Sequence, residues 1–324
     1  MHMLPVRWGW AACAVLLVYL YVPAAEADST IQTQNIRVTF NETGADMCPT
    51  CFRFRKSGGP SNQYFQVKYA GFWELYEELG SIIECPSNGT WGSGCSRHVV
   101  NSLPADFLVN DSTSDCFGCS AARTFTGSVP VGNSSMVLKV PNWLYSAEAT
   151  VTNGNDTITV PANTMKYSVD VTDWPFSTSV NHSATQGFRI TLELKGSGIP
   201  RSHFSCEYSD GVVDDCGTPR SGLLAVIVKG GSTEGRFGFY QKCTTYDSAG
   251  AAGITHAVVV HGPNPGADSS TRMVYIDTPT FAHKLEYDPD VSLSNGAFSA
   301  NSPVWQPFLL LLATAALIVT RAGM

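Results

Sequence analysis

The chain has 324 residues, a formal net charge of -7 and an isoelectric point near 5.4. Charged residues make up only 15% and form no run of five or six like charges. This excludes a nucleic-acid partner, since phosphate binding needs clustered Lys and Arg. Gly, Ser, Thr and Val are plentiful, which favours extracellular β-structure, and the length allows one large β-domain or two smaller ones.

Residues 1–27 have the parts of a secretory signal peptide. Arg7 supplies a positive start, Trp8 to Val22 are mostly apolar, and Ala25-Glu26-Ala27 matches an A-x-A cleavage site. An uncleaved membrane anchor is the alternative, but the apolar span is short and its charged flank is weak. We expect the mature chain to begin near Asp28 and to be extracellular.

Six N-x-[ST] sequons predict N-linked sugars, because an exported chain meets the glycosylation machinery. Sugars require surface loops or strand ends. All six lie in the first two-thirds of the mature chain, which indicates that the last third is packed differently or covered. The acceptor residues are Asn41, Asn88, Asn110, Asn133, Asn155 and Asn181.

Ten cysteines occur, and nine remain once Cys13 leaves with the signal peptide. The motifs MCPTC (47–51) and DCFGC (115–119) raise zinc binding and thiol redox chemistry as alternatives, but an exported chain favours structural disulfides. Cys243 is left over, as a free buried thiol or an intermolecular bridge. The expected bridges are Cys85–Cys95, Cys206–Cys216, and two among Cys48, Cys51, Cys116 and Cys119.

Short alternating segments between Gly, Pro and Asn turns predict an all-β protein with one or two disulfide-stapled β-sandwich-like domains. Residues 165–172 and 188–195 alternate most cleanly, and we expect them to pair as a hairpin or to lie in facing sheets. The run LLAVIV (223–228) is apolar on both sides and predicts a central, covered strand. Only GFWELYEELG (71–80) predicts a helix, a short one. Further strands are expected at 36–40, 64–69, 136–140, 147–152, 237–242, 257–261, 273–276 and 282–287.

Composition divides the chain into a Cys-rich N-terminal β region, 28–130, and a strand-rich β-sandwich domain, 136–290. The first is irregular and the second carries the cleanest alternation. The segment between them is rich in turn residues, and the sequence leaves open whether one domain or two result.

The C-terminal residues 296–324 match the removed part of a signal for a glycolipid (GPI) anchor. Small residues follow Asn295, a spacer runs from 298 to 307, and an apolar tail begins at Phe308. Asn295 is the expected attachment residue, with Ser294 and Ser299 as alternatives. A single-span anchor is less favoured, because the apolar run is about a dozen residues and a bilayer needs about 20.

The sequence holds no motif of catalytic chemistry, since nucleophile-elbow, zinc-protease, phosphate-loop and EF-hand patterns are all missing. We therefore expect no enzyme activity, no cofactor and no metal site. His256 and His261 flank one predicted strand and, five residues apart, fall on opposite faces. His203, three residues before Cys206, is not expected to act with it, because we expect that cysteine to be bridged.

Two acidic pairs and four tryptophans are the remaining candidates for binding. The acidic pairs lie in loop-like segments and are expected to be solvated rather than to bind calcium weakly. The tryptophans are expected to pack in the core or at strand edges rather than to form a sugar-stacking platform, with Trp174 capping the core. The residues are Asp214 and Asp215, Asp288 and Asp290, and Trp73, Trp91, Trp143 and Trp174.

Three segments, FNETGADMCPTCFRF (40–54), MKYSVDVTDWPF (165–176) and FRITLELKGSGIP (188–200), resemble secreted proteins of the organic matrix of stony-coral skeletons. The resemblance implies a place in a skeletal or extracellular matrix, and no functional residue carries over from it. The modest acidity sets this chain apart from the Asp-rich, mineral-binding members of that group.

We therefore expect a GPI-anchored extracellular glycoprotein with a structural or adhesive role. Its partners would be the outer leaflet of the membrane, through the anchor, and extracellular proteins or glycans. A skeletal organic matrix protein of a biomineral is one alternative. A secreted carbohydrate-active enzyme, with Asp or Glu on a β-scaffold, is the other.

Overall fold

A computed structural model describes residues 29–40, 50–78, 81–84, 99–100, 103, 111–112, 118–153, 156–176, 187–197, 203–230, 233–262 and 270–294. These residues form strands and turns, so the all-β prediction is confirmed. They include no helix of the length and apolarity that crossing a membrane requires.

The first strands in chain order are β1 (Ser29–Gln32), β2 (Ile36–Phe40), β3 (Cys51–Lys56), β4 (Tyr64–Glu78), β5 (Ser81–Glu84), β6 (Val99–Val100), β7 (Asp111–Ser112), β8 (Ala121–Val131), β9 (Ser134–Tyr145), β10 (Ala149–Asn153), β11 (Asp156–Val160), β12 (Thr164–Tyr167) and β13 (Val169–Thr172). The remaining strands are β14 (Gly187–Ser197), β15 (His203–Tyr208), β16 (Val213–Asp214), β17 (Arg220–Ser221), β18 (Leu223–Gly230), β19 (Thr233–Gly238), β20 (Lys242–Tyr246), β21 (Ala252–His256), β22 (Val258–His261), β23 (Thr271–Pro279), β24 (Lys284–Tyr287) and β25 (Asp290–Ser294).

These strands make two large antiparallel sheets and one separate hairpin, β10–β11. The first sheet has the order β1-β2-β3-β4-β14-β23-β22-β17, and β5 and β6 also pair with β4. The second has the order β16-β15-β18-β19-β25-β12-β9-β13-β24-β20-β21. The long strand β9 also pairs with β8, which in turn pairs with β7.

The two sheets face each other around one hydrophobic core. The ring of Phe52 in β3 meets the edge of Tyr167 in β12 with centroids 5.0 Å apart, and Phe65 in β4 lies 6.3 Å from Phe237 in β19. The sheets approach each other closely at Gly235, where an added Cβ would lie 2.9 Å from the Phe65 ring. This face-to-face packing is the predicted β-sandwich.

Each of the two large sheets contains strands from both halves of the chain. The N-terminal strand β4 pairs with β14 along its length, and β8 and β9 form one hairpin across residues 132–133. The division into a region 28–130 and a region 136–290 stays a prediction.

The helix predicted at 71–80 is wrong, because residues 71–78 continue strand β4. Gly71 pairs with Thr191 of β14 but Tyr69 pairs with Leu192, so one extra residue, Ala70, forms a β-bulge. The bulge puts Tyr69 and Phe72, three residues apart, on the same buried side. The predicted helix begins after the bulge, where the buried residues Phe72 and Leu75 have a helical spacing that pairing with β14 overrides.

The two alternating segments lie in facing sheets, which is one of the two predicted arrangements. Residues 165–172 are two strands, β12 and β13, which both pair with β9. Their apolar residues enter the core, but Lys166, Ser168 and Asp170 on the other face are also buried. The predicted half-buried strand is therefore covered on both faces.

The strand predicted at 223–228 is confirmed as β18, which lies between β15 and β19. The strand predicted at 36–40 is observed with the same bounds as β2. The other predicted strands are observed with shifted ends, except that residues 239–241 separate β19 from β20 where one strand was expected.

Candidate functional site

The outer face of the second sheet carries a cluster of ionisable side chains at the centre of the strands β13, β24 and β20. Asp170 lies opposite Glu286 in the register of β13 and β24, and Lys284 lies opposite Tyr246 in β20. The intervening residue Leu285 is fully buried in the core, so its neighbours in β24 point to the opposite face. The register therefore brings both carboxylates and the ammonium to one place.

Direct contacts link the members of this cluster, which we call the ionic cluster: Ser168, Asp170, Tyr246, Lys284 and Glu286. Lys284 Nζ lies 3.2 Å from Asp170 Oδ2 and also contacts Glu286 Oε1. Ser168 Oγ donates a hydrogen bond to Asp170 Oδ1, and Tyr246 OH donates one to Glu286 Oε2 at 2.6 Å. Lys284 Nζ also lies 5.2 Å from the centroid of the Tyr246 ring, within the range of a cation–π contact.

Burial shapes the ionisation of the cluster. It raises the pKa of Asp170 above its usual value, and the Ser168 hydrogen bond and the Lys284 charge offset only part of that effect. Burial also lowers the pKa of Lys284, but the hydrogen bond to Glu286 and the charge of Asp170 outweigh it, so the net pKa is raised. Burial and the bond to Glu286 raise the pKa of Tyr246. The cluster thus combines Asp170, a carboxyl group with a raised pKa, with Lys284, an ammonium group whose raised pKa keeps it charged.

The chemistry of this arrangement is that of two carboxylates sharing one ammonium. Opposite residues in neighbouring strands have Cβ atoms about 4.5–5.5 Å apart. Retaining glycosidases also use a pair of carboxyl groups, which they hold about 5–5.5 Å apart. Here Lys284 bonds to both Asp170 and Glu286, which ties β24 to β13, and the hydrogen bond from Tyr246 to Glu286 adds β20.

A second set of polar side chains, Tyr240, Tyr287 and Asp290, links the end of β24, the start of β25 and the segment between β19 and β20. Tyr240 donates its backbone N–H to Tyr287 OH at 3.2 Å, and Tyr287 OH donates to Tyr240 O at 3.1 Å. Tyr240 OH donates to Asp290 Oδ2 at 2.8 Å. Burial, together with Asp290, raises the pKa of Tyr240, so this phenol stays protonated and serves as a donor.

The predicted bridge Cys206–Cys216 is confirmed, with an S–S distance of 2.07 Å and a Cα–Cα distance of 5.2 Å. The two sulfurs and a ring nitrogen of His261 all lie within 4.8 Å of one another. His261 is fully buried in β22, and its Nδ1 lies 3.2 Å from Thr218 O. Bridged sulfurs lack the thiolate charge that binds zinc, so the disulfide is a local structural staple between β15 and the segment that follows β16.

The remaining cysteine predictions are resolved in part. Cys243 is a free, buried thiol, the first of its two predicted states, and burial raises its pKa to about 12. Cys51 and Cys119 are disulfide-bonded. The predictions for Cys48, Cys85, Cys95 and Cys116 lie outside the described residues.

The predicted histidines and acidic pairs occupy separate places. His256 ends β21 in the second sheet and is exposed, whereas His261 belongs to β22 in the first. His203 lies in β15.

The acidic pair Asp214 and Asp215 bonds to nearby backbone groups. Asp214 Oδ1 accepts a hydrogen bond from Cys216 N at 2.8 Å, and Asp215 Oδ1 accepts one from Gly217 N at 3.0 Å. These carboxylates stabilise turns.

Trp174 caps the core, as predicted. It is 5% exposed, its ring meets that of Phe188 with centroids 4.8 Å apart, and its Nε1 donates to the buried Glu74 at 3.1 Å. Trp73 lies in β4 of the first sheet and Trp143 in β9 of the second, while Trp91 lies outside the described residues.

One of the six sequons falls on described residues. Asn133 is exposed at the turn between β8 and β9, a position that leaves room for a sugar. Asn41, Asn88, Asn110, Asn155 and Asn181 lie outside the described residues, as do the expected signal peptide and the expected attachment residue Asn295.

Comparison with known proteins gives no relative to guide the interpretation of this site. No protein-family model matches the chain, and a search of curated proteins found no match.

Sequence reasoning missed the ionic cluster. The alternation in 165–172 and in KLEY (284–287) does indicate that Asp170, Lys284 and Glu286 lie on the strand faces that point away from the core. The pairing of β13 with β24, more than one hundred residues apart, is what joins them.

Proposed function

We propose that this chain is a GPI-anchored extracellular glycoprotein with a structural or adhesive role at the cell surface or in extracellular matrix. The observation that carries the proposal is the three-part pattern of small residues, spacer and apolar tail after Ser294. The secretory signal at the other end and six sequons support it.

The fold is compatible with this role. A disulfide-stapled β-sandwich is a common form of extracellular domains, and the bridge Cys206–Cys216 suits an oxidising compartment. The last described strand, β25, ends at Ser294, so an anchor at Asn295 would follow the folded body directly. The exposed turn at Asn133 accepts a sugar without disturbing either sheet.

The anchor is tested by treating intact cells that express the full-length chain with phosphatidylinositol-specific phospholipase C. We expect the protein to be released together with a known GPI protein. Retention on the membrane while the control protein leaves would show that the anchor assignment is wrong and would favour a single-span anchor.

A pair of variants tests the attachment residue, because the transamidation site needs a small side chain. Asn295→Leu should abolish surface display, whereas Asn301→Leu, in the spacer, should leave it unchanged. Normal display of Asn295→Leu would move the site to Ser294 or Ser299.

One observation favours the second candidate, a secreted carbohydrate-active enzyme. Asp170 and Glu286 are paired carboxylates, and the pKa of Asp170 is raised by burial. The bonds from Lys284 to both carboxylates favour the structural role instead. Hydrolysis of a panel of glycans by the wild type, lost in a correctly folded Glu286→Gln variant, would establish the enzyme.

The alternative of a skeletal organic matrix protein has a different test. It expects the protein in the organic fraction that remains after the skeleton is demineralised.

A further inference from the structure

The strand β21, residues 252–256, forms one edge of the second sheet. It pairs with β20, and among the described residues no strand pairs with its other side. Ala252, Gly253 and His256 are exposed, and Ile254 is 57% exposed. An open strand edge presents unpaired N–H and C=O groups and is a template for another strand.

The hydrogen bonds of the β20–β21 hairpin show which groups point outward. Asp247 N donates to Ala251 O at 3.1 Å, and Ala257 N donates to Gln241 O at 3.1 Å. Both pairs continue the register of the hairpin, so bonding to β20 alternates through the odd-numbered residues of β21. The backbone groups of Ala252, Ile254 and His256 therefore point away from β20.

This edge lacks the features that keep strand edges from pairing. Natural edges carry Lys, Pro, bulges or inward-pointing charges. β21 has the sequence AGITH, without a Lys, a Pro or a carboxylate, and its register with β20 shows no bulge. Another edge of the same sheet, β16, is only two residues long and includes Asp214. Of these two edges, β21 is the one suited to pairing.

The edge is complementary to itself. A twofold axis at Ile254 places Ala252 opposite His256 of a second copy and Ile254 opposite Ile254. The three residues with outward groups then pair with the same three residues of the other copy, so every outward N–H finds a C=O. No carboxylate meets a carboxylate, and the two exposed Ile254 side chains cover each other.

We propose that β21 binds a second copy of this chain by antiparallel strand pairing centred on Ile254. The pairing makes the second sheet continuous across two molecules. A five-residue edge buries less than the about 1,200–2,000 Å² of stable interfaces, so the dimer belongs to the weak, transient class. The inference does not depend on the lipid anchor.

Cysteine cross-linking tests the register directly. In the proposed dimer the two Ile254 Cα atoms lie about 5.5 Å apart, within the range of a disulfide. The two Ala252 Cα atoms are offset by four residues, about 14 Å along the strand, which is too far. On non-reducing gels of the full-length chain expressed in secretory cells, Ile254→Cys should give a dimer band and Ala252→Cys should not. Equal bands, or none in either variant, would overturn the proposal.

Sedimentation of the purified mature protein gives an independent measurement. Ile254→Lys brings two cations together on the axis and should weaken self-association at least about tenfold. Val213→Lys, at an equally exposed site in β16, is the matched control and should leave it unchanged. Thermal unfolding of both variants should match the wild type, because both positions are exposed. A wild type that stays monomeric, or a complex with a different protein through β21, would contradict the pairing of two copies.

Discussion

The ionic cluster makes a quantitative prediction for Lys284→Met, which keeps the length of the side chain and removes its charge. In the native protein Lys284 Nζ contacts both Asp170, which is 5% exposed, and Glu286. The variant leaves two carboxylates opposite each other with no cation between them. Removing one partner of a buried ion pair costs about 3–5 kcal/mol. We expect about 3 kcal/mol, the low end, because a quarter of the Lys284 side chain is exposed.

The loss should depend on pH. Because burial raises the pKa of Asp170 in the folded state, its contribution to stability is present below its unfolded pKa and is lost as the pH rises through the folded value. Without the ammonium the folded pKa of Asp170 rises further. The variant should therefore be most destabilised near pH 8 and should recover part of the loss as Asp170 takes up a proton on acidification.

Urea unfolding followed by tryptophan fluorescence, at pH 8 and pH 5, measures both effects. The matched control is Lys68→Met, which removes a more exposed ion pair with Glu193 at 3.6 Å and should cost about 0–1 kcal/mol. Equal losses in the two variants, or a loss for Lys284→Met that is the same at both pH values, would refute the reasoning.

Three further predictions concern the core. Phe188→Ala should cost about 3–5 kcal/mol, because this fully buried ring packs against Trp174 and Phe281 with centroids 4.8 and 5.4 Å away; a loss under about 1 kcal/mol in urea unfolding would contradict that packing. Gly235→Ala should cost about 1–3 kcal/mol by pressing a methyl group on the facing sheet, and a neutral result by the same assay would show that the sheets can separate there. Cys243 should resist alkylation at pH 8 in the native protein and react in urea, since burial raises its pKa to about 12; mass spectrometry of the native protein should show no label at this residue.

Periodicity in the sequence was sufficient to predict the β-class and the strands with simple alternation. Residues 188–195 form β14 because Phe188, Ile190, Leu192 and Leu194 enter the core in turn. The same reasoning failed at 71–80, because the buried residues Phe72 and Leu75 are spaced as on a helix although this segment pairs with β14 as a strand. The partner strand decides the outcome, and that partner is not visible in the local sequence.

The candidate site was less accessible to prediction than the fold. The polarity of Asp170 and Glu286 indicated only that each faces away from the core. Their contact depends on the pairing of β13 with β24, and the position of Lys284 between them depends on that register. Sequence spacing also misplaced His261, because a change of sheet after Ala257 separates it from His256.

The position of β25 has a consequence for how the protein is made. This strand, the last that the structure describes, lies in the interior of the second sheet and is hydrogen-bonded to both β12 and β19. Until it has emerged from the ribosome, β12 and β19 each lack a neighbour, so the sheet cannot close during synthesis. A premature stop a few codons upstream would therefore remove a central strand rather than a dispensable end. Such a chain would stay an open, aggregation-prone intermediate.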